Sequence, residues 1–301
     1  MNNKLTISVS PHIHGGRSTS SIMLDVIIAL LPAIVAGSVI FGLRSLLVIA
    51  VCVASAVGFE ALYNVATKKD QSIGDLSAAL TGLLLALNLP VTIPLWQCVI
   101  GSAFAIIIVK ALFGGIGRNP VNPAITARVF MLVSFGSMAV QAFPQNSVST
   151  GVDAVSSATP LELAYSGVTT SLSDLFLGKI GGAIGETCSL ALIIGFVYLL
   201  VRRVITWHIP VSIVGTVYIF TLFMEDLDPI RALAMILSGG LLIGAIFMAT
   251  DYVTSPSTPW GKVVFGFGAG LITFIIRYFG VYPEGISFAI LFMNLHSLIY
   301  T

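Results

Sequence analysis

Four groups of residues in this sequence have chemistry to offer. The first is a hydroxyl cluster, Asp153-Ala154-Val155-Ser156-Ser157-Ala158-Thr159-Pro160-Leu161-Glu162. Read locally it is a helix start, with Thr159 as N-cap, Pro160 as the first helical residue and Glu162 as the capping-box partner. The second is Phe113-Gly114-Gly115-Ile116-Gly117-Arg118-Asn119-Pro120-Val121-Asn122-Pro123-Ala124. Its glycines let a flat ring approach the backbone. Asn119 and Asn122 carry both donors and acceptors, and Arg118 is either a site residue or a positive anchor. The same run also reads as a tight turn with Asn-Pro caps. The third group is acidic: Asp25 and Glu60 inside apolar runs, and Asp251 just beyond another. An intramembrane acid costs about 2.5–3.5 kcal/mol on insertion scales and by default marks function. These three are therefore candidates for ion coupling, through buried donors or a bound cation. The fourth group could ligate metals but lacks the spacing. His12, His14, His208 and His296 form no metal pattern, and Cys52, Cys98 and Cys188 include no CxxC pair. No metal or cluster held by this chain alone is expected.

The elements that must position these groups follow from composition. Of 301 residues, 56% are hydrophobic and only 9% charged, against roughly 45–50% and about 25% in soluble domains. Mean hydropathy is +1.01. The 14 basic and 13 acidic side chains are too few to cover a soluble globule of this length. Lipid is the expected solvent, and a net charge of +1 argues against nucleic acid as a partner. Residues 1–21 are polar and show no secretory signal pattern. Ten apolar spans are expected at about 22–41, 45–66, 73–89, 94–112, 122–140, 182–201, 209–224, 230–249, 262–279 and 284–300. With the N-terminus inside, ten Lys/Arg lie on or near the cytoplasmic side and four outside, the asymmetry that orients membrane proteins. Lys110 and Arg277, near span ends, are expected to snorkel to opposite interfaces.

The long connection at 141–181, rich in Ser, Thr and Gly, then lies outside. Five spans precede it and five follow, so the halves are expected to be inverted relative to each other. Lys110-Ala111-Leu112-Phe113-Gly114-Gly115 is similar to Arg277-Tyr278-Phe279-Gly280, and Leu80-Thr81-Gly82-Leu83-Leu84 to Leu237-Ser238-Gly239-Gly240-Leu241. The expected fold is all-α and polytopic: a cytoplasmic segment 1–21, five-helix repeats at 22–140 and 182–301, and an extracytoplasmic loop between them. Both termini are expected in the cytoplasm of a prokaryotic cell. Inverted repeats place ligand sites at their interface.

Three of these segments carry a resemblance. Asp153-x-x-Ser156-x-Ala158-Thr159 resembles the flavin-attachment motif of the RnfD/NqrB family of membrane subunits. The Gly114–Ala124 stretch resembles that family's Gly-rich, Asn-Pro segment. Met248-Ala249-Thr250-Asp251-Tyr252-Val253-Thr254-Ser255-Pro256 resembles a third, with Tyr252 where Pro is expected. The segments occur in the family's order from about residue 10 to the C-terminus. The short N-terminal segment fits the Rnf-type members better than the longer subunits of sodium-pumping NADH:quinone oxidoreductases.

The resemblance implies an FMN joined to Thr159 by a phosphoester and attached by a flavin transferase, with Asp153, Ser156, Ser157 and Ala158 as its neighbours. A phosphate there would meet free N–H groups at a helix start. It also implies a second, non-covalent flavin (riboflavin) near Gly114, Gly115, Arg118, Asn119 and Asn122. It implies an Rnf-type complex that moves electrons between ferredoxin and NAD and couples this to Na+ or H+ translocation. Other membrane and peripheral subunits would supply the remaining carriers, because this chain has no nucleotide-binding domain. The competing readings are a subunit of a sodium-pumping NADH:quinone oxidoreductase and a stand-alone inverted-repeat transporter or channel.

Overall fold

The computed structural model describes residues 18–139, 171–280 and 285–296. Asp153, Ser156, Ser157, Ala158, Thr159, His12 and His14 lie outside the described residues. The longest uninterrupted apolar runs form the longest helices: α1 (Thr19–Phe41), α2 (Leu43–Ala66) and α11 (Pro259–Phe279). Each is long and apolar enough to cross a membrane. Gly42, at φ +75°, ends α1 and starts α2, so the chain reverses in one residue. Leu31, Val35, Val39, Leu62 and Val65 point outward from α1 and α2. Exposed apolar rows of this kind face lipid, and the chain is a polytopic membrane protein.

Shorter apolar helices fill the remaining volume. They are α3 (Ser77–Leu87), α4 (Leu95–Ala111), α5 (Pro123–Ser134), α7 (Ser189–Val201), α8 (His208–Met224) and α12 (Ile286–His296). The short α6 (Leu172–Leu177) lies within the expected outer loop. Another expected span, 230–249, is broken into α9 (Pro229–Leu237) and α10 (Leu241–Met248), bent by 68°. The break is Ser238-Gly239-Gly240, with Gly239 at φ +67°.

The expected span at 182–201 also differs from the structure. Its helix begins only at Ser189. Residues 181–187 are all buried but not helical. Their backbone is satisfied across the core instead: the Ile184 N–H donates to the Leu89 carbonyl at 3.1 Å and the Gly185 N–H to Leu87 at 2.7 Å. Irregular backbone at membrane depth is tolerated where protein surrounds it. Glycines at 181, 182 and 185 break helix propensity there.

Helix association in lipid depends on close packing more than on apolar burial. Small residues supply it. A Cβ added at Gly266 would fall 2.6 Å from the Ser212 Cβ, and one at Gly270 2.8 Å from the Thr216 Cβ. That seam joins α8 to α11. In the same way α2 packs against α3 and α4, while α1 meets α7 and α5 meets α12.

Two ends of the bundle can be told apart by their contacts. At one end the Ser20 hydroxyl donates to the Gly74 carbonyl, Arg202 reaches Asp25, Tyr252 donates to the Val204 carbonyl and Lys262 donates to Thr206. The starts of α1, α3 and α11 and the end of α7 therefore lie together. At the other end Arg44 donates to the Val91 carbonyl, Trp96 packs edge-on against Phe135, and Gly178 lies against Ile40.

Candidate functional site

The first end opens into a small cavity of about 100 Å³. Its walls are mainly apolar, with Val26, Leu80, Leu84 and Phe247 among them. The polar groups that line it come from separated stretches of the chain, among them Ser77, Lys110, Asn119, Asn122 and Asp251. Two widened helical segments deliver two of these walls. In α4 the last two turns shift to i→i+5 bonding, as in Gly115 N–H to the Lys110 carbonyl at 3.0 Å. In α10 the same shift places the Ala249 N–H 2.8 Å from the Gly244 carbonyl. Such π-type turns are rare and concentrate at functional sites. Here one leads to Lys110 and the other to Asp251.

Lys110 is buried at 4% exposure, so it does not snorkel as expected. Its ammonium lies 2.8 Å from Glu60 Oε1 and donates to Ser77 Oγ at 2.5 Å. The chain of bonds continues outward from both partners. Ser72 donates to Glu60 Oε1 at 2.9 Å and is itself bonded by Asn64 at 3.0 Å, while Ser77 donates to Asp75. Glu60 Oε2 is buried with no hydrogen-bond partner among the described residues. A buried ion takes this position only when paired, and the pair accounts for Glu60 inside α2.

Arg277 does not snorkel either. It is also 4% exposed, and it donates to the carbonyls of Met235 at 2.7 Å and Ser238 at 3.1 Å. These carbonyls belong to the broken end of α9, which cannot bond onward within a helix.

The other expected acids have different surroundings. Asp25 is 3% exposed and accepts from the Tyr198 hydroxyl at 3.1 Å and from Arg202 at 3.2 and 3.3 Å. Asp251, in the connection beyond α10, is half-buried and accepts from Thr254 Oγ1 at 3.2 Å. Burial pushes its carboxyl above the usual carboxylate range.

The Gly-rich segment splits in two. Gly114, Gly115 and Gly117 have φ of +113°, +93° and +82°, values that a side chain disfavours, and they build a tight turn. Gly114 and Arg118 are exposed on that turn and do not line the cavity, nor does Gly115. Asn119 and Asn122 do. Asn119 donates to the Val121 carbonyl at 3.1 Å. Asn122 Oδ1 caps α5 by accepting from Ala124 and Ile125, and its Nδ2 donates to the Met248 carbonyl at 3.2 Å. That last bond ties the first half of the chain to the second beside the cavity.

A second buried cluster has no counterpart among the residues singled out from sequence. Arg128 on α5 donates to Asn88 Oδ1 at 2.8 Å and Ser287 Oγ at 3.1 Å, with Glu186 Oε2 at 3.9 Å. The sequence gives no signal of this role for Glu186, because its burial depends on residues 181–187 entering the core without a helix.

Among the described residues no group of three or more His, Cys, Asp or Glu has metal-binding geometry. The donor set of the cavity instead suits a flat, polar-edged ring: apolar walls, an ammonium, carboxamides and a carboxyl.

Comparison with known proteins identifies the family. The model of the NQR2, RnfD, RnfE family matches residues 6–299. The chain is similar to the D subunit of the Na(+)-translocating ferredoxin:NAD(+) oxidoreductase complex of Acetobacterium woodii, 48% identical over 299 residues, with 96% of this chain and 90% of that one covered. It is 41% identical over 309 residues to the D subunit of the proton-translocating ferredoxin:NAD(+) oxidoreductase complex of Clostridium ljungdahlii, covering 97% and 92%. It is 35% identical over 329 residues to the D subunit of the ion-translocating oxidoreductase complex of Escherichia coli K12, covering 96% and 94%.

Proposed function

The chain belongs to the NQR2, RnfD, RnfE family, and from that premise we propose that it is the flavin-carrying membrane subunit of an Rnf-type complex. The complex transfers electrons between ferredoxin and NAD and couples this to translocation of Na+ or H+. The observation that carries the reading is the near full-length match, at 48% identity, to a D subunit of that kind. The chain is one part of a translocase and works with membrane and peripheral partners that hold the other carriers.

Two flavin positions follow from the same reading. Thr159 Oγ1 forms a phosphoester with the FMN phosphate, made by a flavin transferase, with Asp153, Ser156, Ser157 and Ala158 beside it. The support is the Asp153–Thr159 motif. A second, non-covalent flavin occupies the cavity, with Lys110, Asn119 and Asn122 at its polar edge and Asp251 on another wall. When bound, a flavin supplies one- or two-electron transfer, while the protein supplies position and electrostatics. The apolar walls exclude water, and the carboxamides orient the ring by hydrogen bonds.

The helices form two inverted five-helix halves. Supporting this, α1 runs away from the cavity end and α7 runs toward it, and α2 with α3 and α4 mirrors α8 with α9 and α11. The cavity end is cytoplasmic, since Lys68, Lys69, Arg118, Arg202, Arg203 and Lys262 belong to that end. The flanks of the 141–181 loop, Phe135 and Gly178, sit at the opposite end. The two flavins then lie toward opposite faces, so the subunit carries electrons along the membrane normal. Of the three acids, Asp25 and Glu60 are ion-paired, which leaves Asp251 as the coupling candidate without a salt bridge among the described residues.

The test is in-gel flavin fluorescence of the denatured chain co-expressed with a flavin transferase. A fluorescent band is expected for the natural sequence and none for Thr159→Ala. A dark band for the natural sequence would sink the covalent assignment. A cysteine placed in the 141–181 loop should react with an impermeant thiol reagent in intact cells; labelling only after lysis reverses the orientation.

A further inference from the structure

Lys110 stands out among the buried charges because it is only partly committed. An ammonium has three donors. Glu60 and Ser77 take two of them, and no third partner exists among the described residues. The same side chain lines the cavity, whereas its counter-ion Glu60 does not. The positive member of a buried pair therefore faces the ligand space, and the negative member sits behind it. Arg277, the cation at the corresponding place in the second half, lines no part of this cavity and spends two hydrogen bonds on carbonyls.

We infer that Lys110 sets the reduction potential of the flavin bound in the cavity, with Glu60 as the opposing charge that holds the ammonium in place. The inference rests on the reading that a second flavin binds there. The charge balance is simple. One electron arrives from a neighbouring one-electron carrier of the complex and adds one negative charge to the ring. Lys110 keeps its proton and offers its remaining N–H to that charge, so no bond forms or breaks at the lysine. Because Lys110 is 4% exposed, this attraction is screened less than it would be in bulk water. It favours the reduced ring and raises the potential. Glu60 acts with the opposite sign from farther away. Ser77, bonded to Lys110 and to Asp75, fixes the direction in which the ammonium points.

The experiment uses the full-length chain carrying Thr159→Ala, so that no covalent flavin contributes, in lipid nanodiscs with added riboflavin. Visible absorbance is followed during a stepwise reductive titration, and bound flavin is quantified after washing. Lys110→Met should weaken the first reduction step at least tenfold, a downward shift of about 59 mV for one electron. Glu60→Gln should shift it upward, and Lys110→Arg should stay near the parent. If Lys110→Met does not fold, the opposed Glu60→Gln and Lys110→Arg results carry the test. Bound flavin with an unchanged potential in Lys110→Met, or Glu60→Gln moving downward, overturns the role of Lys110. A folded parent chain that retains no riboflavin overturns the cavity reading itself, and the inference with it.

Discussion

Lys110 and Arg277 make an instructive comparison. Both are basic, both are 4% exposed, and both lie near the C-terminal end of a helix, α4 and α11. In the proposed repeat they occupy corresponding places, and their neighbourhoods differ. Lys110 is neutralised by a carboxylate and faces a cavity. Arg277 satisfies two carbonyls where α9 breaks. The same charge lines a cavity in one case and satisfies broken-helix carbonyls in the other. Side-chain chemistry fits this division. A guanidinium carries five donors in a fixed fork and bridges two carbonyls, whereas an ammonium is a compact charge that is readily shared.

The comparison can be broken in three ways, from the largest effect to the smallest. Glu60→Leu leaves the Lys110 ammonium buried without its counter-ion, and is expected to cost about 3–5 kcal/mol. Thermal unfolding of the purified chain should report it, and Glu60→Leu combined with Lys110→Met should recover most of the loss. A double variant as unstable as the single one would show that the pair is not what Glu60 contributes. Arg277→Met removes the donor to Met235 and Ser238, and is expected to cost about 2–3 kcal/mol. It should leave the amount of bound riboflavin in folded protein unchanged; selective flavin loss would place Arg277 with Lys110 after all. Asp25→Asn is the mildest. Its partner Arg202 is 48% exposed, so solvent screens the pair, and the expected cost is under about 1 kcal/mol. A larger drop in melting temperature would mean that Asp25 carries more than a screened salt bridge.

Much of the architecture was legible because lipid imposes a simple rule on composition. A helix crossing hydrocarbon must be apolar over most of its length, and α1, α2 and α11 follow the sequence runs closely. The Gly42 reversal, the Asn122 cap and the Pro123 start of α5 are local signals of the ordinary kind. Irregular backbone was only partly legible. Glycines mark the break at Ser238–Gly240 and the buried, non-helical 181–187 stretch, but not where their backbone groups find partners. Their hydrogen bonds go to distant partners, Leu87 and Leu89 for one and Arg277 for the other.

The site divides along the same line. Asn119, Asn122 and Asp251 were visible as polar residues in apolar or glycine-rich surroundings, and they do meet at one cavity. Gly114 and Arg118 lie close together in sequence to these asparagines, yet the left-handed turn carries them out to the surface. Arg128 and Glu186 gave no sequence signal of a shared site, although they are buried together with Asn88 and Ser287.

The sequence by itself determined the solvent of this protein, the positions of most helices and the family. These depend on composition and on short motifs, which are local properties. Tertiary structure alone decided which charges are spent on holding the fold and which face a cavity. A charge buried in lipid must find a partner, and that partner can lie fifty residues away, as Glu60 does from Lys110. Spacing along the chain does not encode such a meeting; helix packing does.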